Sequence, residues 1–173
     1  AILACVEEVV GKDVVLRTCD LFFKRKTGET VSPGQTKLPL QIQWHWDDPR
    51  NLEGSDGLLT VWLALTPSTA MSGAVRFLPG SHKITLERDD PFDRNTYDVK
   101  ENDWEAIGEI APIDAELAPG EFSLHHGAVI HGSNMNGGEI DRCGIALRYA
   151  SPTTSAEILG AQKVFLVRGA IPE

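Results

Sequence analysis

An all-β core with a helical flank, arranged as a jelly roll, is what this 173-residue sequence predicts. Three observations carry that expectation. Short β-rich runs recur between Pro-Gly, Gly and Asn turns at the spacing of a sandwich or barrel. No βαβ alternation, GxGxxG, phosphate loop or internal repeat interrupts them. One segment, at the start of the chain, repeats its apolar residues with helical spacing.

That segment is Ile2–Val10, which stops before Gly11. VVLRTCDLFFK, Val14–Lys24, then reads as a strand, and KTGETVSPGQT as a loop rich in turn residues. KLPLQIQWHW reads as the next strand and DDPRNLEGSDG as a polar loop. LLTVWLALT is the strongest strand signal in the chain, and MSGAVRFLPGSHK reads as strand, tight turn and exit. Residues 84–110 are acidic and irregular, with Trp104 on a short helix, and are expected to form an insert or lid. The remaining core runs are APIDAELAPGEFSLHHGAVIHGSNMN and DRCGIALRYASP, and QKVFLVRGA is expected to pair as a last strand. All of 1–173 is read as one domain, and the absence of an initial Met leads us to expect that an N-terminal part precedes it.

Composition narrows the function classes. Hydrophobic residues at 42% and charged residues at 24% suit a soluble globular domain. A formal net charge of -9 argues against a nucleic-acid partner, and the densest basic run, Lys24-Arg25-Lys26, reads as a solvated loop. No apolar run reaches the roughly 18 residues of a membrane span. Cys5, Cys19 and Cys143 follow no metal or disulfide spacing, so reduced thiols and a cytoplasmic location are expected. The sequence is silent on oligomeric state.

The chemistry concentrates in QWHWDD, residues 43–48. In a strand, side chains at i and i+2 share a face. His45 and Asp47 therefore point one way, while Trp44 and Trp46 point the other. An imidazole and a carboxylate on one face make two parts of a 2-His-1-carboxylate triad for Fe(II), although His-x-Asp alone is more often a surface pair. The third ligand would come from His82, His125, His126 or His131. His82 lies in the PGSHK turn, and His125 and His126 are adjacent, so a strand sends them to opposite faces, one packed or hydrogen-bonded beside the site. His131 ends a β-branched run before a Gly/Asn turn, a position suited to a ligand held on a rigid strand.

WHWDD, VWLALTPSTAMSGAVRFLPGSHK and PGEFSLHHGAVIHGSNMN followed by DRCGIALRYA together resemble the phytanoyl-CoA dioxygenase-like family of Fe(II)/2-oxoglutarate oxygenases. The resemblance covers residues 14–152 and rests on the order of its motifs, including an Arg eleven residues after the His of H-G-S-x-x-N. It implies a double-stranded β-helix, metal ligands His45, Asp47 and His131, and Arg142 as the clamp for the distal carboxylate of 2-oxoglutarate. A guanidinium is suited to that task because it is permanently charged and bidentate. Arg148 shares strand parity with Arg142 but does not match the family spacing, and its simpler reading is a salt bridge at the rim. Comparable residues in family members place Thr60 and Trp62 against the cosubstrate, with core packing as the plain alternative for Trp62. Ser133 is a further candidate for the cosubstrate carboxylate, and Lys24 and Gln43 are weaker ones.

Trp46 and the DDPRNLEG loop depart from the pattern of many relatives, so substrate contacts do not transfer. The carboxylate at position 47 favours hydroxylation, since halogenating members carry a small residue there. The resemblance thus implies an Fe(II), 2-oxoglutarate and O2-dependent dioxygenase acting on a small-molecule or acyl-type substrate. Two alternatives remain at this stage. One is a cupin-like metalloenzyme that does not use 2-oxoglutarate. The other is a non-enzymatic jelly-roll module in which Trp44 and Trp46 form stacking platforms.

Overall fold

The computed structural model of the chain describes residues 1–26, 41–47, 58–84, 86, 98–154 and 164–170. Among these, two antiparallel sheets face each other. The larger has the order β6-β3-β8-β1-β9 and the smaller β2-β7-β4-β5. The strands are β1 (Val14–Lys24), β2 (Ile42–His45), β3 (Leu59–Ala64), β4 (Val75–Phe77), β5 (Ile113–Ala115), β6 (Phe122–His126), β7 (His131–Ser133), β8 (Arg142–Ala150) and β9 (Phe165–Arg168). The jelly roll is therefore present. Helix α1 (Ile2–Val10) is its helical flank, and α2 (Asp103–Ile107) carries Trp104. Of the KLPLQIQWHW run, residues 37–40 lie outside the described residues, and only Ile42–His45 pairs as a strand.

Alternation along the strands builds apolar clusters outside and between the sheets, three of which frame the site. Outward residues Leu59 and Val61 of β3, Tyr149 of β8 and Val14 of β1 pack against Val6 and Val10 of α1. Between the sheets, Trp62, Val75 and Ala146 form a small core with Phe22 and Phe77. Beyond the smaller sheet, Trp46, Leu78, Ile107 and Ile130 form a third cluster, joined by Trp44, Ile84, Leu86, Val99 and Ile110. The described part of the expected insert or lid thus buttresses the outer face of the smaller sheet. Residue 85 and residues 87–97 of that segment lie outside the described residues.

Two bulges aim the inner face. In β1, Leu16 pairs with Tyr149 and Thr18 with Arg148, leaving Arg17 as an extra residue. A one-residue slip reverses which side chains face the core, so this bulge turns Thr18, Asp20, Phe22 and Lys24 inward. In β2, Ile42 pairs with Ser133 but His45 with His131, a second shift in register. It lets Ile42 and His45 share the inner face although they are three positions apart.

Candidate metal centre

His45 and His131 are cross-strand partners at adjoining strand ends, with ring centroids 4.2 Å apart. Their surroundings match. His45 Nδ1 lies 2.8 Å from the Gln43 carbonyl and His131 Nδ1 2.9 Å from that of Val129. A carbonyl only accepts, so each Nδ1 carries the proton and each Nε2 keeps a free lone pair. Carbonyl support of this kind is how metal-binding imidazoles are usually oriented. Asp47 is fixed by its backbone N–H, which donates to the Gly127 carbonyl at 2.8 Å. One ligand atom from each of His45, Asp47 and His131 lies within 4.8 Å of the others.

The Asp47 carboxylate is only 4% exposed, yet it is fully partnered. Arg148 Nε and Nη2 approach its Oδ1 at 2.8 and 2.6 Å, and the Thr60 hydroxyl donates to its Oδ2 at 2.7 Å. His125 Nε2 and His131 Nε2 stand 3.6 and 3.8 Å from Oδ2, too far for hydrogen bonds. Burial by itself would raise the Asp47 carboxyl, but His125, His131 and the Arg148 guanidinium outweigh it and hold the group well below the carboxylate range. Burial lowers His131 to about 3, with His45 and His125 adding to the effect and Asp47 opposing it. The site is thus a carboxylate beside a neutral imidazole.

Arg142 lines the far end of the same cavity, and Lys24, which is not one of the lining residues, is buried beside it. Arg142 and Lys24 are cross-strand partners, 1% and 5% exposed. Lys24 Nζ donates to the Ser133 hydroxyl at 2.7 Å and to the Asn134 carbonyl. Burial and the neighbouring Arg142 charge lower Lys24 to about 7. Burial also lowers Arg142, to about 10, which leaves it protonated at neutral pH. Its guanidinium carbon sits 4.2 Å from the Trp62 ring centroid, and its Nε and Nη2 are buried with no hydrogen-bond partner among the described residues. Buried guanidinium N–H groups left unpaired are costly, so this end has the chemistry of a carboxylate receptor. Two imidazoles and a carboxylate are equally the donor set of a non-haem Fe(II) site with open positions. The residues present fit both an iron ion and a dicarboxylate cosubstrate.

His45, Asp47, Thr60, Trp62, His131, Ser133 and Arg142 all line this one cavity. Thr60, expected at the cosubstrate, spends its hydroxyl on Asp47. Ser133 is bonded to Lys24, and Trp62 walls the pocket beneath Arg142. Gly144 makes that placement possible, because a Cβ there would meet Trp62 Cζ2 at 2.3 Å. Some expectations need correcting, and others are sharpened. Lys24 is no solvated loop residue, since the β1 bulge turns it inward. The Gln43 side chain is exposed and contributes only its carbonyl. Arg148 does form a rim pair, with Asp20 at 2.5 Å, but it also grips Asp47. His125 is the member of its pair that faces the site, its ring 4.6 Å from His131. Strand parity was the available signal for Arg148, which follows Arg142 by an even number of residues. For the His125–His126 pair it left the choice open, and the register, with His125 opposite Thr60, decides it. PGSHK is structural, its Ser81 hydroxyl accepting from the Ile130 N–H at 2.8 Å. Trp46 is buried, and Trp44 packs edge-on to Trp104 at 6.4 Å under Arg76, so neither offers an open platform.

A family model for phytanoyl-CoA dioxygenase (PhyH) matches residues 2–144. The chain belongs to the phytanoyl-CoA dioxygenase family. It is 28% identical over 150 residues to the multifunctional dioxygenase prhA of Penicillium brasilianum, a match covering 78% of this chain and 46% of that protein. A probable alpha-ketoglutarate-dependent hypophosphite dioxygenase of Stutzerimonas stutzeri is 26% identical, over 87% of this chain and 50% of its own length. Among solved structures, the nickel complex of the non-heme monooxygenase ThoJ is 25% identical, with a TM-score of 0.66 over 98% of this chain and 57% of that one. The chain spans about half the length of the curated family relatives it matches.

Proposed function

We propose that the chain carries the core of a non-haem Fe(II)/2-oxoglutarate-dependent dioxygenase that hydroxylates a small-molecule or acyl-type substrate. One observation carries this reading: a converging His45, Asp47 and His131 donor set shares a cavity with the buried Arg142, two of whose guanidinium nitrogens have no hydrogen-bond partner among the described residues. The first group fits iron and the second fits the distal carboxylate of 2-oxoglutarate. A metalloenzyme without that cosubstrate would have no use for a buried guanidinium lacking an anion. We place the protein in the cytoplasm, in keeping with three free thiols, and no helix among the described residues is long and apolar enough to cross a membrane.

When bound, Fe(II), 2-oxoglutarate and O2 supply the oxidation, converting a C–H bond to C–OH with release of succinate and CO2. The chain's own residues do the binding and positioning. Two carbonyls hold the imidazoles with Nε2 presented to the cavity. Thr60 and Arg148 hold the carboxylate of Asp47 ionised and oriented. Arg142 would hold one carboxylate of the dicarboxylate, and the neighbouring Lys24 charge would add to the attraction from behind the cavity wall. Phe22, Ile42, Trp62, Val75 and Ala146 exclude water from the channel between.

The test is turnover of 2-oxoglutarate by the isolated protein in air. Succinate release that requires added Fe(II) and disappears in Arg142→Met supports the proposal. Release that is unaffected by chelation, or a KM for 2-oxoglutarate unchanged in Arg142→Met, refutes it.

A further inference from the structure

The two oxygens of Asp47 live in different surroundings. Oδ2 is on the side of the imidazoles, where His125 and His131 Nε2 stand 3.6 and 3.8 Å away. Oδ1 is taken on the other side by two nitrogens of Arg148, at 2.8 and 2.6 Å. That guanidinium is itself anchored, because its Nη1 donates to Thr18 Oγ1 at 3.1 Å and to Asp20 Oδ2 at 2.5 Å. Thr18, Arg148 and Thr60 lie in one row across β1, β8 and β3, so the strand register sets where the guanidinium can reach. A carboxylate free at both oxygens can chelate a divalent ion with both. As Asp47 is held, Oδ1 faces two guanidinium nitrogens while Oδ2 accepts only the Thr60 hydroxyl, at 2.7 Å, so Oδ2 is the oxygen with a lone pair left to give.

We propose that Arg148 is a positioning residue that restricts Asp47 to single-oxygen metal ligation and so reserves coordination positions for the cosubstrate and O2. The inference rests on the iron reading above and deepens it. Arg142 and Arg148 then divide the work on one strand. Arg142 holds the far end of the cosubstrate, and Arg148 keeps room for its near end. Two outcomes separate this role from a plain ion pair. Fe(II) affinity depends on whether Asp47 can ligate at all, whereas 2-oxoglutarate affinity depends on how many positions Asp47 leaves open.

The experiment measures Fe(II) affinity by chelator competition and 2-oxoglutarate affinity of the iron-loaded protein by anaerobic calorimetry. It compares wild type with Arg148→Met, Arg148→Lys and Asp20→Asn. Outer hydrogen-bond partners of a metal ligand are typically worth about 10–100-fold in metal affinity or activity, so the difference between the two affinities decides. In Arg148→Met, 2-oxoglutarate affinity of the iron-loaded protein is expected to fall by a clearly larger factor than Fe(II) affinity. Arg148→Lys, which returns one charged donor, should recover part of that loss. Asp20→Asn removes only a half-exposed anchor and should shift 2-oxoglutarate affinity in the same direction by about two- to threefold. Its surface location makes it readable even if the Arg148 variants fold poorly. Unchanged 2-oxoglutarate affinity in folded Arg148→Met overturns the proposal. So does a parallel loss of both affinities that tracks a lowered melting temperature, since that is the mark of a structural ion pair. A wild-type protein that binds neither Fe(II) nor 2-oxoglutarate overturns the iron reading itself, a result no Arg148 variant can mimic.

Discussion

The two ends of the cavity are built on opposite principles. At the Asp47 end a single buried carboxylate is surrounded by donors: a guanidinium on one oxygen and a hydroxyl on the other. At the Arg142 end two buried cations sit side by side, and two guanidinium nitrogens have no hydrogen-bond partner among the described residues. Folding alone satisfies the first arrangement. The second is destabilising until something negative arrives, because buried like charges and unpaired N–H groups both raise the free energy. The difference teaches which part of the site is scaffold and which part is receptor. On the function proposed above, the carboxylate is held for a metal and the cations for a ligand.

Removing a ligand from the satisfied end should have the largest effect. His131→Ala deletes one of the two imidazoles whose tautomer the backbone fixes. Fe(II) retained after anaerobic gel filtration is expected to fall to background, together with succinate release. Retention of one equivalent of iron would break the comparison, because His131 would then be scaffold only.

At the receptor end, Arg142→Met removes the fully buried clamp. Truncating one side of a buried charge pair typically costs about 2–5 kcal/mol, roughly 30-fold or more in affinity. The KM for 2-oxoglutarate should rise by at least that factor while Fe(II) affinity stays near wild type. An equal loss of iron binding would mean that the two ends are not separable.

Lys24 gives a pH signature that the carboxylate end lacks. Free Lys24 loses its proton near pH 7, against 10.5 for an ordinary lysine, and a bound carboxylate would hold it protonated. Binding between those values therefore takes up a proton, and 2-oxoglutarate affinity should weaken as pH rises above 7. Calorimetry at pH 8 in buffers of different ionisation enthalpy should show proton uptake in wild type and none in Lys24→Met, whose affinity should be about tenfold lower. The ligand-free protein shows the same linkage with the opposite consequence. Its unfolded chain binds more protons than the folded one between pH 7 and 10.5, so its stability should rise with pH across that window.

The smallest effect expected is at Gly144, which touches neither ligand. A methyl group there would overlap Trp62, whose ring lies against Arg142. Gly144→Ala should destabilise by about 1–3 kcal/mol, as overpacking does, and weaken 2-oxoglutarate binding several-fold less than Arg142→Met. A melting temperature equal to wild type would show that Trp62 has room to move.

How far these features could be read from residues follows from what the strand period reveals. His45, Asp47, Trp44 and Trp46 were sorted onto two faces by simple alternation, and the structure sorts them the same way. α1 and β1 fall on the residues their periodicity marks out, because Gly11 and the flanking turns punctuate them. Alternation fails where a bulge shifts it. Lys24 opens a basic run that looks solvated and was only a weak candidate for the pocket, and the extra residue at Arg17 is what turns it inward. Arg148 shows the other blind spot. Its rim pair with Asp20 is legible from exposure and charge, but its grip on Asp47 joins residues about a hundred positions apart through the packing of two sheets. The outward packing of residues 98–110 was likewise invisible, since acidic composition does not say which face its few apolar side chains will cover.

The central claim is that one cavity binds iron at His45, Asp47 and His131 and a dicarboxylate at Arg142. An anaerobic titration of the Fe(II)-loaded protein with 2-oxoglutarate, followed by visible absorption, addresses it most directly. The account predicts a charge-transfer band that saturates at one equivalent in wild type, needs far more 2-oxoglutarate in Arg142→Met, and is absent in Asp47→Ala. A wild-type protein without the band, or an Asp47→Ala protein with a wild-type band, would contradict it.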